Sequence, residues 1–340
     1  MKKVVIRIPN HLGDTLMAQP AVAAFLEKAP EYSVSLLLPR WAEPIYDDLG
    51  RLSMLALEKD RLHGFSGILA QSRRLKAENM DLGILLTPSF SSALAFYLGG
   101  VGRRLGYEGN GRRRLLTDPV GRRPVGSSHR FEQYLDLIRQ TLGRSVESRR
   151  PVLKPSAENG AKAVALLKKE GLESGRPFVV IAPQAVAASR RWGLVNYHAL
   201  ARRLSDHFKL AVVLVGTADE YPAGEAIRGT SDNIINLCGE TDITTAAAIM
   251  ARGKLFVGND SGLAHLAAAV DIPLVVLSGA DNPAETSPLS GRKKVIYKDY
   301  LECISCVKNV CPLRGGAFMR CMKEISIDEV FAAAAELLSE

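Results

Sequence analysis

Three short stretches of this sequence combine small or turn-forming residues with side chains that handle charge: Asn10-His11-Leu12-Gly13-Asp14-Thr15, Pro183 to Trp192, and Val257-Gly258-Asn259-Asp260-Ser261-Gly262-Leu263-Ala264-His265. In the first, Gly13 permits a tight turn and leaves Asp14 at the end of a strand. A carboxylate there either caps the following helix or acts as a general base. In the second, Pro183-Gln184-Ala185-Val186-Ala187-Ala188-Ser189-Arg190-Arg191-Trp192, small residues let backbone N–H groups approach a ligand closely. A guanidinium beside them can clamp the oxygens of a diphosphate. Arg190 is the candidate for that clamp, whereas Trp192, and with it Arg191, also reads as a plain packing anchor. The third stretch runs from apolar to small and polar residues and then into a helix, which points free N–H groups at an anion. Asp260 either caps that helix or accepts hydrogen bonds from a ribose or hydroxyl. His265 is either structural or turned toward phosphates.

The elements that must carry these loops alternate in type. Val4–Ile8, Val34–Leu38 and Leu82–Leu86 read as strands in the N-terminal half, and Ala21–Lys28 as the first clear helix. Prolines 151 and 155, a polar helix over Ala161–Lys169 and a turn at 173–177 mark a change of domain between residues 150 and 176. Beyond it, strands at Phe178–Ala182, Leu210–Val215, Ile234–Leu237, Leu255–Val257 and Pro273–Leu277 alternate with helices at Asn196–Phe208, Glu220–Arg228, Ile243–Arg252 and Leu263–Ala269. Continuous β-branched strands alternating with helices predict an α/β fold whose parallel sheet is covered on both faces. Ser326-Ile327-Asp328-Glu329 is a capping box opening a final alanine-rich helix. The expected division is 1–160, 161–325 and a C-terminal helix at 326–340. In such sheets ligands bind beyond the carboxyl ends of the strands, where all three loops fall. No G-x-G-x-x-G follows the first strand, which weighs against a dinucleotide-dependent dehydrogenase.

Composition narrows the classes further. The chain has 340 residues, 47% hydrophobic and 24% charged, as in a globular protein of two ordinary domains. No apolar run reaches the roughly 18 residues of a membrane span. The apolar part of MKKVVIRIPN is too short for a secretion signal, so a cytoplasmic location is expected. The net charge of +8 is one-sided: residues 1–150 hold 23 Lys and Arg against 15 Asp and Glu, while 151–340 hold 21 of each. Arginines at 103, 104, 112, 113, 114, 122, 123 and 130 supply much of the excess. They form either a solvated face or a surface that gathers anionic partners. Few aromatics are interleaved with them and no recognised motif appears, so nucleic acid is not an expected partner.

Four of the five cysteines crowd into Cys303-x2-Cys306-x4-Cys311-x9-Cys321. The first pair has the spacing of half a structural zinc site, whereas the second pair lacks it. A structural metal, disulfides and reduced thiols therefore all remain open. Cys238 stands alone as a small buried filler.

Together the loops resemble those of the heptosyltransferases of glycosyltransferase family 9, most of all their type II branch. Gly13-Asp14 followed by Pro20, Arg190-Arg191-Trp192, the Gly216-to-Glu220 loop, and Asn259 to Leu266 with Pro273 after it carry the likeness across nearly the whole chain. The resemblance implies a GT-B fold of two facing Rossmann-like domains, with the acceptor in the first and the nucleotide sugar in the second. It implies inverting, metal-independent transfer of heptose from ADP-heptose to the anionic inner core of lipopolysaccharide. Asp14 would then be the general base and Arg190, where the family commonly has lysine, the diphosphate partner. Glu220 would contact the adenosine ribose. Asp260, Ser261, Gly262 and His265 would hold phosphates and donor sugar, with Ser189 as a further phosphate hydrogen-bond donor. No cofactor is implied, and the acceptor implies work at the cytoplasmic face of the inner membrane, where Ser91–Leu98 either touches the interface or is core. A family 9 transferase with another nucleotide sugar, a sugar-nucleotide epimerase on the same scaffold, and a non-catalytic binding protein are the competing readings.

Overall fold

A computed structural model describes residues 1–124, 126–173 and 175–340. The chain separates into two compact units, Met1–Pro151 and Val152–Glu340. The turn expected at 173–177 includes Ser174, which lies outside the described residues.

The first unit holds strands β1 (Lys2–Arg7), β2 (Tyr32–Pro39), β3 (Leu52–Leu57), β4 (Leu82–Leu85), β5 (Arg103–Tyr107) and β6 (Asp118–Val120). Its helices are α1 (Leu12–Lys28), α2 (Gly64–Glu78), α3 (Phe90–Leu98) and α4 (Arg130–Leu142). The second unit holds β7 (Phe178–Ala182), β8 (Ala211–Leu214), β9 (Ile234–Asn236), β10 (Leu255–Asn259), β11 (Leu274–Leu277) and β12 (Lys293–Ile296). Around these lie α5 (Ala157–Lys169), α6 (Leu194–Phe208), α7 (Tyr221–Arg228), α8 (Ile243–Met250), α9 (Gly262–Ala269), α10 (Pro283–Thr286), α11 (Arg320–Lys323) and α12 (Ile327–Ser339). Among the described residues no helix is long and apolar enough to cross a membrane.

Both sheets are parallel throughout. Their strand orders are β3-β2-β1-β4-β5-β6 and β12-β11-β10-β7-β8-β9, the same Rossmann-like order in each unit. The order reverses direction between β1 and β4 in the first sheet and between β7 and β10 in the second. Burial follows the pattern expected of doubly covered strands. Val4, Val5 and Ile6 are fully buried, as are Val179 to Ile181, Leu255 to Val257 and Leu274 to Leu277. The final helix α12 opens on its capping box, with Glu329 N–H donating to Ser326 Oγ at 3.2 Å and Ser326 N–H to Glu329 Oε2 at 2.8 Å. It buries Val330, Ala334 and Leu337 in the core of the second unit.

The helix expected at Ala21–Lys28 begins nine residues earlier, at Leu12. Gly13, read as a tight turn, lies inside α1, as does Pro20. Burial of Thr15 through Val22 holds the helix together despite the N–H that Pro20 lacks. Asp14 therefore sits in the first turn of a helix rather than at its cap. The cap residue is His11, whose side chain makes no capping bond. At Glu220 the expected helix divides into a 3-10 turn, Ala218–Glu220, running into α7.

Candidate active site

The second unit gathers its polar chemistry where β7 and β10 end side by side. Asn259, last residue of β10, is fully buried and ties the two loops together. Its Nδ2 donates to the Pro183 carbonyl at 2.8 Å, and its Oδ1 accepts from Trp192 N–H at 3.2 Å and Tyr197 Oη at 3.0 Å. Trp192 Nε1 donates in turn to the Ile325 carbonyl at 2.8 Å, so this tryptophan is an anchor. Gly258 admits no side chain, since a Cβ would lie 2.8 Å from the Phe256 ring. The loop after β7 thereby delivers Arg190, whose Nε lies 2.6 Å from Asp281 Oδ2 in the loop after β11.

Polar capacity remains unused here. Ser261 occupies the N-cap of α9 without making a capping bond, and its buried Oγ has no hydrogen-bond partner among the described residues. Gln184 Oε1 is buried and likewise without one. Unused buried polar atoms are uncommon in a folded protein, and these two can take up hydrogen bonds from a ligand. Asp260, 4% exposed, accepts a 3.1 Å hydrogen bond from Ser278 Oγ. Burial, then the nearby Asp281 carboxylate, pushes its carboxyl up to about 7. Lys293, drawn below the ordinary lysine range by burial, donates to Ser287 Oγ at 2.8 Å and the Pro288 carbonyl at 2.7 Å.

In the first unit, Asp14 presents one carboxylate oxygen to two partners on α4. Its Oδ1 accepts from Arg130 Nη1 at 2.9 Å and from Tyr134 Oη at 3.3 Å. Oδ2 has no partner among the described residues, and the side chain keeps 18% of its surface exposed. Tyr134 is buried, and burial followed by the Asp14 charge raises its phenol well above the usual range, so it stays a proton donor. The turn before α1 is fixed from below. Buried Arg7 donates to Asn10 Oδ1 at 2.8 Å and the Leu37 carbonyl at 3.2 Å, and Thr15 Oγ1 donates to the Pro9 carbonyl at 3.0 Å. Burial lowers the Arg7 guanidinium to about 10.

Asp14 thus stands in the first turn of α1 in one unit, and a pair of loops with unused polar capacity stands in the other. Residues 68–316 match the sequence profile of "Glycosyltransferase family 9 (heptosyltransferase)". This chain belongs to glycosyltransferase family 9. The family 9 chain is 29% identical over 307 residues to lipopolysaccharide heptosyltransferase 2 of Escherichia coli K12, covering 86% of this chain and 87% of that one. It is 29% identical over 306 residues to lipooligosaccharide heptosyltransferase 2 of Haemophilus influenzae, covering 86% and 88%. Among solved structures, E. coli ADP-heptose lps heptosyltransferase II superposes with a TM-score of 0.80 at 27% identity, covering 100% of this chain and 99% of that one. The chain is a glycosyltransferase, and its two Rossmann-like domains are those of the GT-B fold.

In this glycosyltransferase Asp260, Ser261, Gly262 and buried His265 run from the end of β10 into α9. Arg190 joins them through Asp281. Two of the candidate residues carry structural bonds. Ser189 is buried, and its hydroxyl donates to the Lys308 carbonyl while its N–H donates to the Asn309 carbonyl at 3.1 Å. The single hydroxyl proton is committed, so in this structure Ser189 offers no donor to a phosphate. Glu220 closes a capping box with Thr217, its Oε2 accepting from Thr217 N–H at 2.8 Å. One of its oxygens is therefore structural. Asp281, Lys293, Arg130 and Tyr134 were not singled out as site residues. Asp281 lies at the carboxyl end of β11, a position that topology alone marks, whereas Arg130 and Tyr134 are 116 and 120 residues from Asp14 and carry no local signal.

All five cysteines are free thiols: Cys303 is exposed, Cys306 and Cys311 half-buried, Cys321 and Cys238 buried. Burial pushes the Cys238 thiol up to about 12. Among the described residues no group of three or more His, Cys, Asp or Glu is arranged to hold a metal ion.

Proposed function

We propose that this enzyme transfers heptose from ADP-heptose to the inner core of lipopolysaccharide, with inversion at the anomeric carbon. The observation that carries the donor reading is the convergence, beyond β7 and β10, of Arg190 with the unused polar atoms of Ser261 and Gln184. The names of the two relatives supply the sugar and the acceptor class. The donor diphosphate lies against Arg190 and the start of α9, where the free N–H groups of the helix complement its charge. As the glycosidic bond breaks, negative charge grows on the β-phosphate, and these fixed positive groups stabilise it. Asp260 and His265 border that position, and the free carboxylate oxygen of Glu220 is the one left for the nucleoside ribose.

Asp14 is the general base. Arg130 and Tyr134 both bind Oδ1, which orients the carboxylate and leaves Oδ2 for the acceptor hydroxyl. Oδ2 takes the hydroxyl proton while the oxygen attacks the anomeric carbon, and ADP departs with the bonding pair. The Met1–Pro151 unit binds the acceptor, and its surplus of positive charge suits a phosphorylated, carboxylated core. Work at the cytoplasmic face of the inner membrane follows from that acceptor, and α3 exposes Phe90, Tyr97 and Leu98.

The test is turnover of ADP-heptose with Kdo-lipid and with mono-heptosylated acceptor, for wild type and Asp14→Ala, in the presence of a chelator. Transfer to one acceptor that survives chelation and collapses in the variant is expected. Conversion of the donor without any acceptor would instead establish an epimerase, and transfer from a different nucleotide sugar would replace the donor assignment.

A further inference from the structure

The loops bearing Arg190 and Asp281 are held by a single distant segment. Residues 305–309, inside the cysteine-rich stretch, touch both of them. On one side the Lys308 and Asn309 carbonyls accept from the hydroxyl and N–H of Ser189, the residue next to Arg190. On the other, Ser305 N–H donates to the Gly279 carbonyl at 3.1 Å and Val307 N–H to the Ala280 carbonyl at 2.7 Å. Ser305 Oγ donates to the Asp281 carbonyl at 3.1 Å and lies 2.6 Å from Tyr297 Oη. These bonds bracket the ion pair of Arg190 and Asp281 from both sides.

The backbone of this segment is itself unusual. Ser305 and Val307 adopt the left-handed region, at φ 56° and 55°. For a β-branched valine that conformation is strained, and such strain persists only where surrounding bonds over-determine it. Here the N–H groups of both residues are the ones donated to the Gly279–Ala280 turn. That turn also approaches the second half of the cysteine stretch so closely that a Cβ at Gly279 would lie 2.6 Å from Met322 Sδ and 3.0 Å from Cys321 Sγ. Cys311 Sγ accepts from Met319 N–H at 3.4 Å, folding the stretch back on itself.

We propose that residues 305–309 are a buttress that sets the position of the Arg190 guanidinium, with Ser189 and Ser305 as positioning residues for donor diphosphate binding. The proposal rests on the reading of Arg190 as the diphosphate partner. Its energetic signature is coupling: a residue that acts by placing Arg190 has nothing left to lose once Arg190 is gone.

The experiment is a double-mutant cycle read by calorimetric titration of the full chain with ADP, with unfolding midpoints recorded alongside. Ser189→Ala removes one buried hydrogen bond and is expected to weaken ADP binding by about tenfold. In the Arg190→Ala background the same change is expected to cost less than about twofold. Ser305→Ala, in the same cycle, is expected to behave alike and serves if Ser189→Ala does not fold. Equal, additive losses in both backgrounds would overturn the buttress while leaving Arg190 as a diphosphate ligand. Unchanged ADP binding in Arg190→Ala alone would overturn the diphosphate reading and the buttress with it.

Discussion

The two units share one strand order, yet they equip the carboxyl ends of their strands oppositely. At the β1 end, the first unit offers a lone carboxylate held by an arginine and a tyrosine from α4. At the β7 and β10 ends, the second offers an arginine, an uncommitted serine at a helix start, and two acidic groups withdrawn into the protein. On the proposed reading, one topology serves proton removal in one unit and anion binding in the other. Topology fixes where the chemistry sits, while a handful of loop residues decide its sign.

The contrast breaks down if variants in the first unit alter donor affinity or variants in the second alter only the chemical step. Asp14→Asn is expected to give the largest effect, lowering kcat by roughly a hundredfold to ten-thousandfold, the usual range for a lost general base. ADP affinity, measured by titration, is expected to stay within twofold of wild type. Arg190→Lys keeps the charge but loses the planar fork, and should weaken ADP binding by roughly tenfold while the enzyme remains folded. Tyr134→Phe leaves Arg130 to hold Asp14 alone, and a drop of a few-fold in kcat with unchanged KM for the donor is expected.

A pH series sharpens the second half of the comparison. Asp260 is held above the ordinary carboxylate range, near 7, by burial and by Asp281. Below that value it is neutral, and above it a negative charge appears beside the proposed diphosphate position. ADP affinity is therefore expected to fall as pH rises through about 7, and Asp260→Asn should flatten the profile. Stability runs the same way: the folded state binds a proton that the unfolded chain has released by pH 5. The contribution is complete below the usual aspartate range and is lost as pH rises through about 7. Unfolding midpoints between pH 5 and 8, compared with those of Asp260→Asn, would show it.

Much of this arrangement is legible in the chain itself. Strands β7, β8, β10 and β11 are buried on both faces, so each reads as an unbroken apolar run between turns. The motif from Asn259 to His265 is local, and a strand-to-helix turn needs no distant partner to be recognised. The start of α1 was hidden because Gly13 reads as a tight turn, and only tertiary burial carries the helix through it and through Pro20. Ser189 was read as a ligand donor because its true partner, Lys308, lies 119 residues away and contributes a backbone carbonyl. Nothing in a side chain's identity announces that its backbone oxygen will be used. The same holds for Arg130, which counted in the sequence only as one arginine among many.

The division at Pro151 has a consequence for how the protein is made. Each sheet draws all six strands from one uninterrupted stretch of chain, and no strand of the first is supplied from beyond that division. The first Rossmann-like unit is thus fully encoded before the ribosome reaches the second. At roughly 5–20 residues per second, synthesis of the remainder lasts on the order of ten to forty seconds, long compared with the folding of most single domains. The basic half is therefore able to close its core as a nascent chain, and the Val152–Glu340 half then folds with a finished neighbour already attached.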